Sequence, residues 1–256
     1  MADPVFLSDC KLWNGGYDIT GSVNQVSLTV DNEEKADARF GDVLQAKYPG
    51  MMNPQFNASG FYSASTLAVG EPDPVLFSRL HSDVTSWPLS VCPPAAPAAA
   101  AGADGNLAYT FTGAEFSYQI GAAVGELLPY KIKKLPRSTG NLSRGTILLP
   151  KALYAATTTG TGRNLGALTA AQKFVAVLHV FAITGGSWVL TVESDDNSGF
   201  TTPIVRATFT AVTTAPNRLL VEVAGAISDN WWRVILTKSG GTNVTAAAVF
   251  GIVPIP

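Results

Sequence analysis

Apolar and polar residues alternate with a period of two along much of this chain. Val26, Leu28 and Val30 are interleaved with Ser27 and Thr29, Leu107, Tyr109 and Phe111 with Ala108 and Thr110, and Phe116, Tyr118 and Ile120 with Ser117 and Gln119. Further on, Trp188, Leu190 and Val192 stand among Thr191 and Glu193, and Val205, Ala207 and Phe209 among Arg206, Thr208 and Thr210. Leu219, Val221 and Val223 follow, then the runs 231–237 and 244–253. Successive side chains of a strand point to opposite faces, so each alternating run predicts a strand buried on one face. The run 174–183 (FVAVLHVFAI) is apolar on both faces and predicts a central, doubly covered strand. Turn signals separate these runs at Thr112-Gly113-Ala114, Gly185-Gly186, 195–199 and Gly240-Gly241. The pattern predicts an all-β sandwich or barrel with minor short helices. The helical candidates are 42–48, 77–84 and 168–173, all too short to stand without tertiary packing.

Two segments break the strand pattern. The stretch 92–102 is rich in proline and alanine and predicts an irregular, exposed loop insert. The stretch 155–166 is rich in glycine and threonine and predicts a linker between two β lobes, 1–154 and 167–256. Core candidates for the first lobe are Phe61, Tyr109, Phe111, Phe116 and Tyr118. Those for the second are Leu178, Val180, Leu190, Phe209, Val221 and Ile235.

Composition narrows the function. The chain has 256 residues, 46% of them hydrophobic, which is ample for a packed core. Only 14% are charged, too few for the usual solvated surface, so much of that surface is expected to be buried against other subunits. A formal net charge of −2 argues against a dedicated nucleic-acid binder. Yet a neutral wall suits a channel that DNA crosses without sticking. The opening Met1-Ala2-Asp3-Pro4 lacks the basic and apolar regions of a secretory signal, and no apolar run is long enough to span a membrane. Cys10 and Cys92 have neither metal-site spacing nor a disulfide framework around them and predict free thiols.

Candidate chemistry is sparse. His179 lies inside the apolar run, the place of a core or interface histidine. His81 lies beside Arg79 and Asp83 on a candidate helix. No zinc spacing, nucleophile elbow or phosphate-binding glycine pattern occurs, so no enzymatic activity, metal or cofactor is expected. The loop 195–199 resembles a calcium loop only until its twelfth position, where Arg206 stands in place of the bidentate carboxylate. Lys131, Lys133, Lys134 and Arg137 predict a solvated edge or a subunit interface. The segment 31–42 carries both signs of charge. It predicts a projecting loop whose Asp31, Glu33, Glu34, Asp37 and Arg39 contact another subunit, in preference to an acid–base pair.

The run Gly16–Asp31, the charged Asp31–Asp42 segment with its Phe40-Gly41-Asp42 ending, the Tyr48-Pro49-Gly50 bend and the following 56–62 strand resemble the tail tube (major tail) proteins of long-tailed bacteriophages. The segments 140–149, 177–180 and 193–200 extend the resemblance over most of the chain, with motifs of low specificity. The resemblance implies a virion protein of the tail, made in the host cytoplasm. It would self-assemble into stacked rings of β-barrels around a lumen that passes DNA, with other tail proteins as partners. One barrel per chain implies hexameric rings, and two per chain a trimeric pseudo-hexamer. The alternatives are a capsid decoration protein or a carbohydrate-binding β-sandwich, for which Trp188, Trp231 and Trp232 would supply stacking faces.

Overall fold

A computed structural model describes residues 9–37, 46–62, 72–80, 87–96, 100–136 and 142–255. The chain is all-β and divides into two compact units. Unit 1 comprises Met1–Gly21, Ser86–Thr112 and Asn141–Pro256, and unit 2 comprises Ser22–Thr85 and Gly113–Gly140.

Unit 1 contains β1 (Lys11–Asn14), β2 (Tyr17–Asp18), β5 (Pro88–Cys92), the first part of β6 (Leu107–Ile120), β8 (Leu142–Tyr154), β9 (Thr158–Thr159) and β10 (Arg163–Asn164). It continues with β11 (Gln172–Thr184), β12 (Ser187–Asp195), β13 (Ile204–Thr208), β14 (Asn217–Ala224), β15 (Trp231–Ser239) and β16 (Asn243–Pro254). One antiparallel sheet runs in the order β14-β11-β16-β8-β6-β5-β1-β2, and a second in the order β10-β15-β12-β13 with β9 also on β15. The main core lies between them. Phe174, Ala176, Leu178 and Val180 of β11 meet Trp188, Leu190 and Val192 of β12 and Trp232, Val234 and Leu236 of β15. Phe174 stacks on Phe250 at 5.2 Å, and Trp232 packs against both rings at 5.4 and 5.1 Å. Aromatic pairs of this kind add about 0.5–1.5 kcal/mol beyond their buried area.

The other face of β11 is covered as well. Val175 and Val177 pack with Val253, while Phe181 joins Trp13, Cys92, Ala108, Ile147, Ala247 and Val249. Phe181 of β11 and Trp13 of β1 come from strands distant in the sheet order, so the large sheet curls back on itself without closing. The turn between β1 and β2 seals the curl. A Cβ on Gly16 would lie 2.4 Å from the Asn217 nitrogen and 2.6 Å from the Val180 oxygen, and Gly15 (φ 63°) packs on the Trp87 ring.

Unit 2 contains β3 (Val23–Asp37), β4 (Ala46–Phe61), the helix α1 (Pro72–Phe77), β7 (Pro129–Pro136) and the rest of β6. Its antiparallel sheet has the order β3-β4-β7-β6. Phe56, Ala58, Tyr130 and Ile132 form its buried face, and Tyr118 of that sheet donates to Asp73 of α1 at 2.7 Å.

Several expectations are corrected. The division does not fall at 155–166: β9 and β10 lie there, paired to β15 within unit 1. A Cβ on Gly160 would sit 2.4 Å from the Leu148 oxygen and one on Gly162 2.4 Å from the Phe200 ring, so these glycines permit close packing and do not mark a hinge. The expected turn at 112–114 is instead continuous strand, with the register of β6 shifting between Glu115 and Ser117. Of the expected helix 42–48, residues 46–48 are strand and 42–45 lie outside the described residues. The helix expected at 77–84 ends at Phe77, where it was expected to begin, and 81–84 lie outside the described residues. Leu168 exchanges backbone hydrogen bonds with Ile227 instead of opening a helix. Of the segment 92–102, Cys92 ends β5 and the rest is irregular where described, although Ala101 is buried and its N–H donates to Asp9 at 3.0 Å.

Gly16→Ala is expected to lower unfolding free energy by about 2–3 kcal/mol through overpacking. Gly21→Ala, with nothing within 4 Å of the added carbon, should be near neutral. Chemical denaturation of both variants checks this, and equal effects would contradict the seal at Gly16.

Candidate assembly surface

The hairpin β3–β4 reaches beyond the sheet that anchors it. The two strands pair from Val23–Gly60 to Asp37–Ala46. β4 pairs on its other side with β7 only through Phe56–Phe61, opposite Lys134–Pro129. Among the described residues, 46–55 have β3 as their sole ladder partner, and with 29–37 they form a two-stranded ribbon. Among the described residues β3 pairs only with β4, which leaves its other edge, fifteen residues long, without a ladder partner there. Residues 31–36 are all exposed, and Val30, Tyr48 and Met52 are 45%, 57% and 60% exposed. A two-stranded ribbon is marginal alone, and an open edge is a template for another strand.

The expected charged loop is thus largely strand. Asp31 to Asp37 belong to β3, while 38–45, including Arg39, lie outside the described residues. The register shifts between Asn32 and Glu34 with the extra residue on β4, so the alternation of β3 itself runs on from Gln25, Ser27 and Thr29 to Asp31, Glu33 and Lys35 on one face, and Glu33 pairs with Lys35 at 2.8 Å. Glu34 falls on the opposite face and pairs across the ribbon with Lys47 at 2.5 Å. Glu33 and Glu34 therefore do not converge as an acid–base pair. Exposed ion pairs of this kind contribute little to stability, which leaves these charges free to exchange partners. Asp37 ends the strand opposite Ala46.

The Asp31 face continues across the sheet as two polar rows set by the register. Gln25, Ser59, Lys131 and Gln119 form one row, and Ser27, Asn57, Lys133 and Ser117 the next. These side chains line one shallow groove. Lys134, grouped with Lys131 and Lys133 from the sequence, belongs to the other face. It is fully buried and pairs with Glu115 at 3.3 Å. Burial lowers the pKa of its ammonium, and the Glu115 charge opposes that shift.

The remaining candidates are structural. His179 Nδ1 donates to the Gly15 carbonyl, and its Nε2 accepts from Ser90 Oγ at 2.8 Å, which lies 3.2 Å from Thr110 Oγ1. This serine–histidine contact is completely buried, so it pins β11 to β5 and to the β1–β2 turn without meeting a ligand. Burial pushes the imidazole pKa down to about 4, against the Gly15 hydrogen bond and the Asp18 charge. Asp195 accepts from the Asn197 and Thr202 backbone N–H groups at 3.2 and 2.9 Å, a closed turn. No group of three or more potential metal ligands occurs among the described residues. Trp188 and Trp232 are buried in the core and offer no stacking face, and Trp231 is half-buried. Cys10 and Cys92 are free thiols. Burial raises both pKa values, that of Cys10 to about 11, which leaves them unreactive.

No protein-family model matches the chain, and no curated protein does. Among solved structures, it is similar to the Dit protein of SPP1, described as a hub adsorption apparatus of phages infecting Gram-positive bacteria. The identity is 12%, covering 95% of this chain and 99% of that one, with a TM-score of 0.36. It is also similar to the tube-terminating cap of the anti-feeding prophage (12% identity, 57% and 93% covered, TM-score 0.39). A chain of the PVC sheath–tube complex, an extracellular contractile injection system, is similar at 12% identity, 56% and 92% covered, TM-score 0.38. Likeness at this level assigns neither family nor role.

The buried histidine generates a pH dependence. The unfolded imidazole protonates near 6.5, while the folded one resists protonation down to about 4. Its neutral-state stabilisation is complete above pH 6.5 and is lost as pH falls toward 4, by about 3 kcal/mol in all. Denaturation between pH 7 and 4 should show this loss, and His179→Gln should flatten it. An unchanged slope in the variant would contradict the assignment.

Proposed function

We propose that the chain is a structural virion protein that self-assembles into stacked rings of a phage-type tail tube, through which DNA passes. The observation that carries this reading is the β3–β4 ribbon, exposed at 29–36 and at Lys47, Tyr48, Met52 and Asn53, with the outer edge of β3 unpaired among the described residues. In a ring, a neighbour's strand meets each open edge, and closure of the rotation leaves none free. The low content of charged residues and the sequence resemblance to tail tube proteins support the same reading. A chain with a net charge of −2 suits a lumen that DNA crosses without adhesion. Other tail proteins would meet the ends of the stack.

Unit 2 supplies one open-edged sheet with a projecting ribbon, and unit 1 is a packed sandwich. One wall-forming sheet per chain favours six chains per ring over three. The tail of the virion is the proposed location, with synthesis in the host cytoplasm.

Negative-stain microscopy of the purified chain tests this, with six-fold rings or tubes expected. Replacing residues 32–52 by Asn-Gly shortens the ribbon to a tight hairpin. That variant should keep its β circular dichroism and lose assembled material by about tenfold or more. A wild-type chain that stays monomeric when concentrated, or a shortened chain that assembles equally well, would overturn the proposal.

A further inference from the structure

We infer that the polar groove of unit 2 receives the acidic face of the β3–β4 ribbon from a second copy of this chain, an inference that rests on the self-assembly reading. Lys131 and Lys133 stand on one face of β7 among amides and hydroxyls, with no carboxylate in either row of the groove. Neither lysine has an ion-pair or hydrogen-bond partner among the described residues. On the ribbon, Asp31 is likewise unpaired among the described residues, and Glu33 holds only the exposed Lys35.

The spacing matches. Lys131 and Lys133 are two residues apart on a strand, as are Asp31 and Glu33, so both pairs repeat at about 6.8 Å. Each set lies on the solvent face of its strand, and the ribbon extends past its own sheet, where a neighbour can reach it. The groove's neutral side chains, such as Gln119 and Asn57, can donate to and accept from a polar strand laid across them. A nucleic acid is the weaker occupant, because two lysines release too few counterions to hold a polyanion at physiological salt. The contact joins different patches on the two copies. It is therefore heterologous and propagates from copy to copy.

The test mixes isotopically labelled and unlabelled full-length chain, applies a zero-length carbodiimide cross-linker and maps the products by mass spectrometry. Mixed-isotope links from Asp31 or Glu33 to Lys131 or Lys133 are expected. Lys131→Glu with Lys133→Glu should reduce self-association by about tenfold or more, and adding Asp31→Lys with Glu33→Lys should restore it. Rings that form without such links overturn this contact while the tube reading stands. Links without rings support the contact and count against the tube. A monomer without links overturns both. Salt-sensitive binding of a thymidine oligonucleotide that the lysine reversal abolishes, with no mixed links, would assign the groove to a polyanion and overturn the inference.

Discussion

A strand that pairs on one side only among the described residues, in a two-stranded ribbon whose residues 29–36 are exposed, draws little stability from its own chain. That constraint governs the functional side of this protein. Among the described residues, the hydrogen bonds of β3 are satisfied toward β4 and open along its other edge. Soluble monomers blunt such edges by keeping them short, bulged or charged. Here the edge strand is fifteen residues long, its pairing with β4 shifts register between Val23 and Gln25 and between Asn32 and Glu34, and its charges lie on the two faces of the ribbon. The arrangement leaves the backbone edge accessible and gives the faces a charge pattern that a partner can read. The assembly proposed for the chain would resolve both at once.

Unit 1 shows the opposite condition. Its central strand β11 is buried on both faces, by the second sheet on one side and by the returning edge of its own sheet on the other. His179 illustrates how tightly the return is specified: both ring nitrogens are used, one on a turn carbonyl and one on a serine. Gly15 and Gly16 let that turn touch the Trp87 ring and the backbone at Val180 and Asn217. The same contact that resembles a catalytic dyad in isolation is thus a packing device. Unit 2 has a smaller version in the buried Lys134–Glu115 pair, which fixes the register of β7 against β6. Such a pair is costly to break and so disfavours a slipped register.

Much of the fold was legible in the sequence because period-two alternation is a direct consequence of strand geometry. The doubly apolar run 174–183 identified the central strand, which is buried on both sides through 174–180 and emerges at Ala182. The misreadings have physical causes. The glycine and threonine content of 155–166 predicts a linker between lobes, but Gly160 and Gly162 are there because a side chain would collide. The segment 31–37 was taken for a loop because Asp, Asn and Glu are poor strand formers. The alternation nevertheless continues through it, and the cross-strand Glu34–Lys47 pair is the signal that could have found it. Lys134 was grouped with its neighbours by charge, although it shares parity with the apolar Tyr130 and Ile132. The groove was invisible because its rows come from four strands, and only the register brings them together.

We propose that another copy completes the edge of β3 left unpaired among the described residues. Hydrogen–deuterium exchange, compared between dilute monomer and assembled protein, addresses that edge residue by residue. The account predicts that alternate amides of 27–37, those facing away from β4, exchange quickly in the monomer and slow by about a hundredfold or more on assembly. Equal exchange of these amides in the two states would mean that no neighbouring strand completes the sheet, and would contradict the claim.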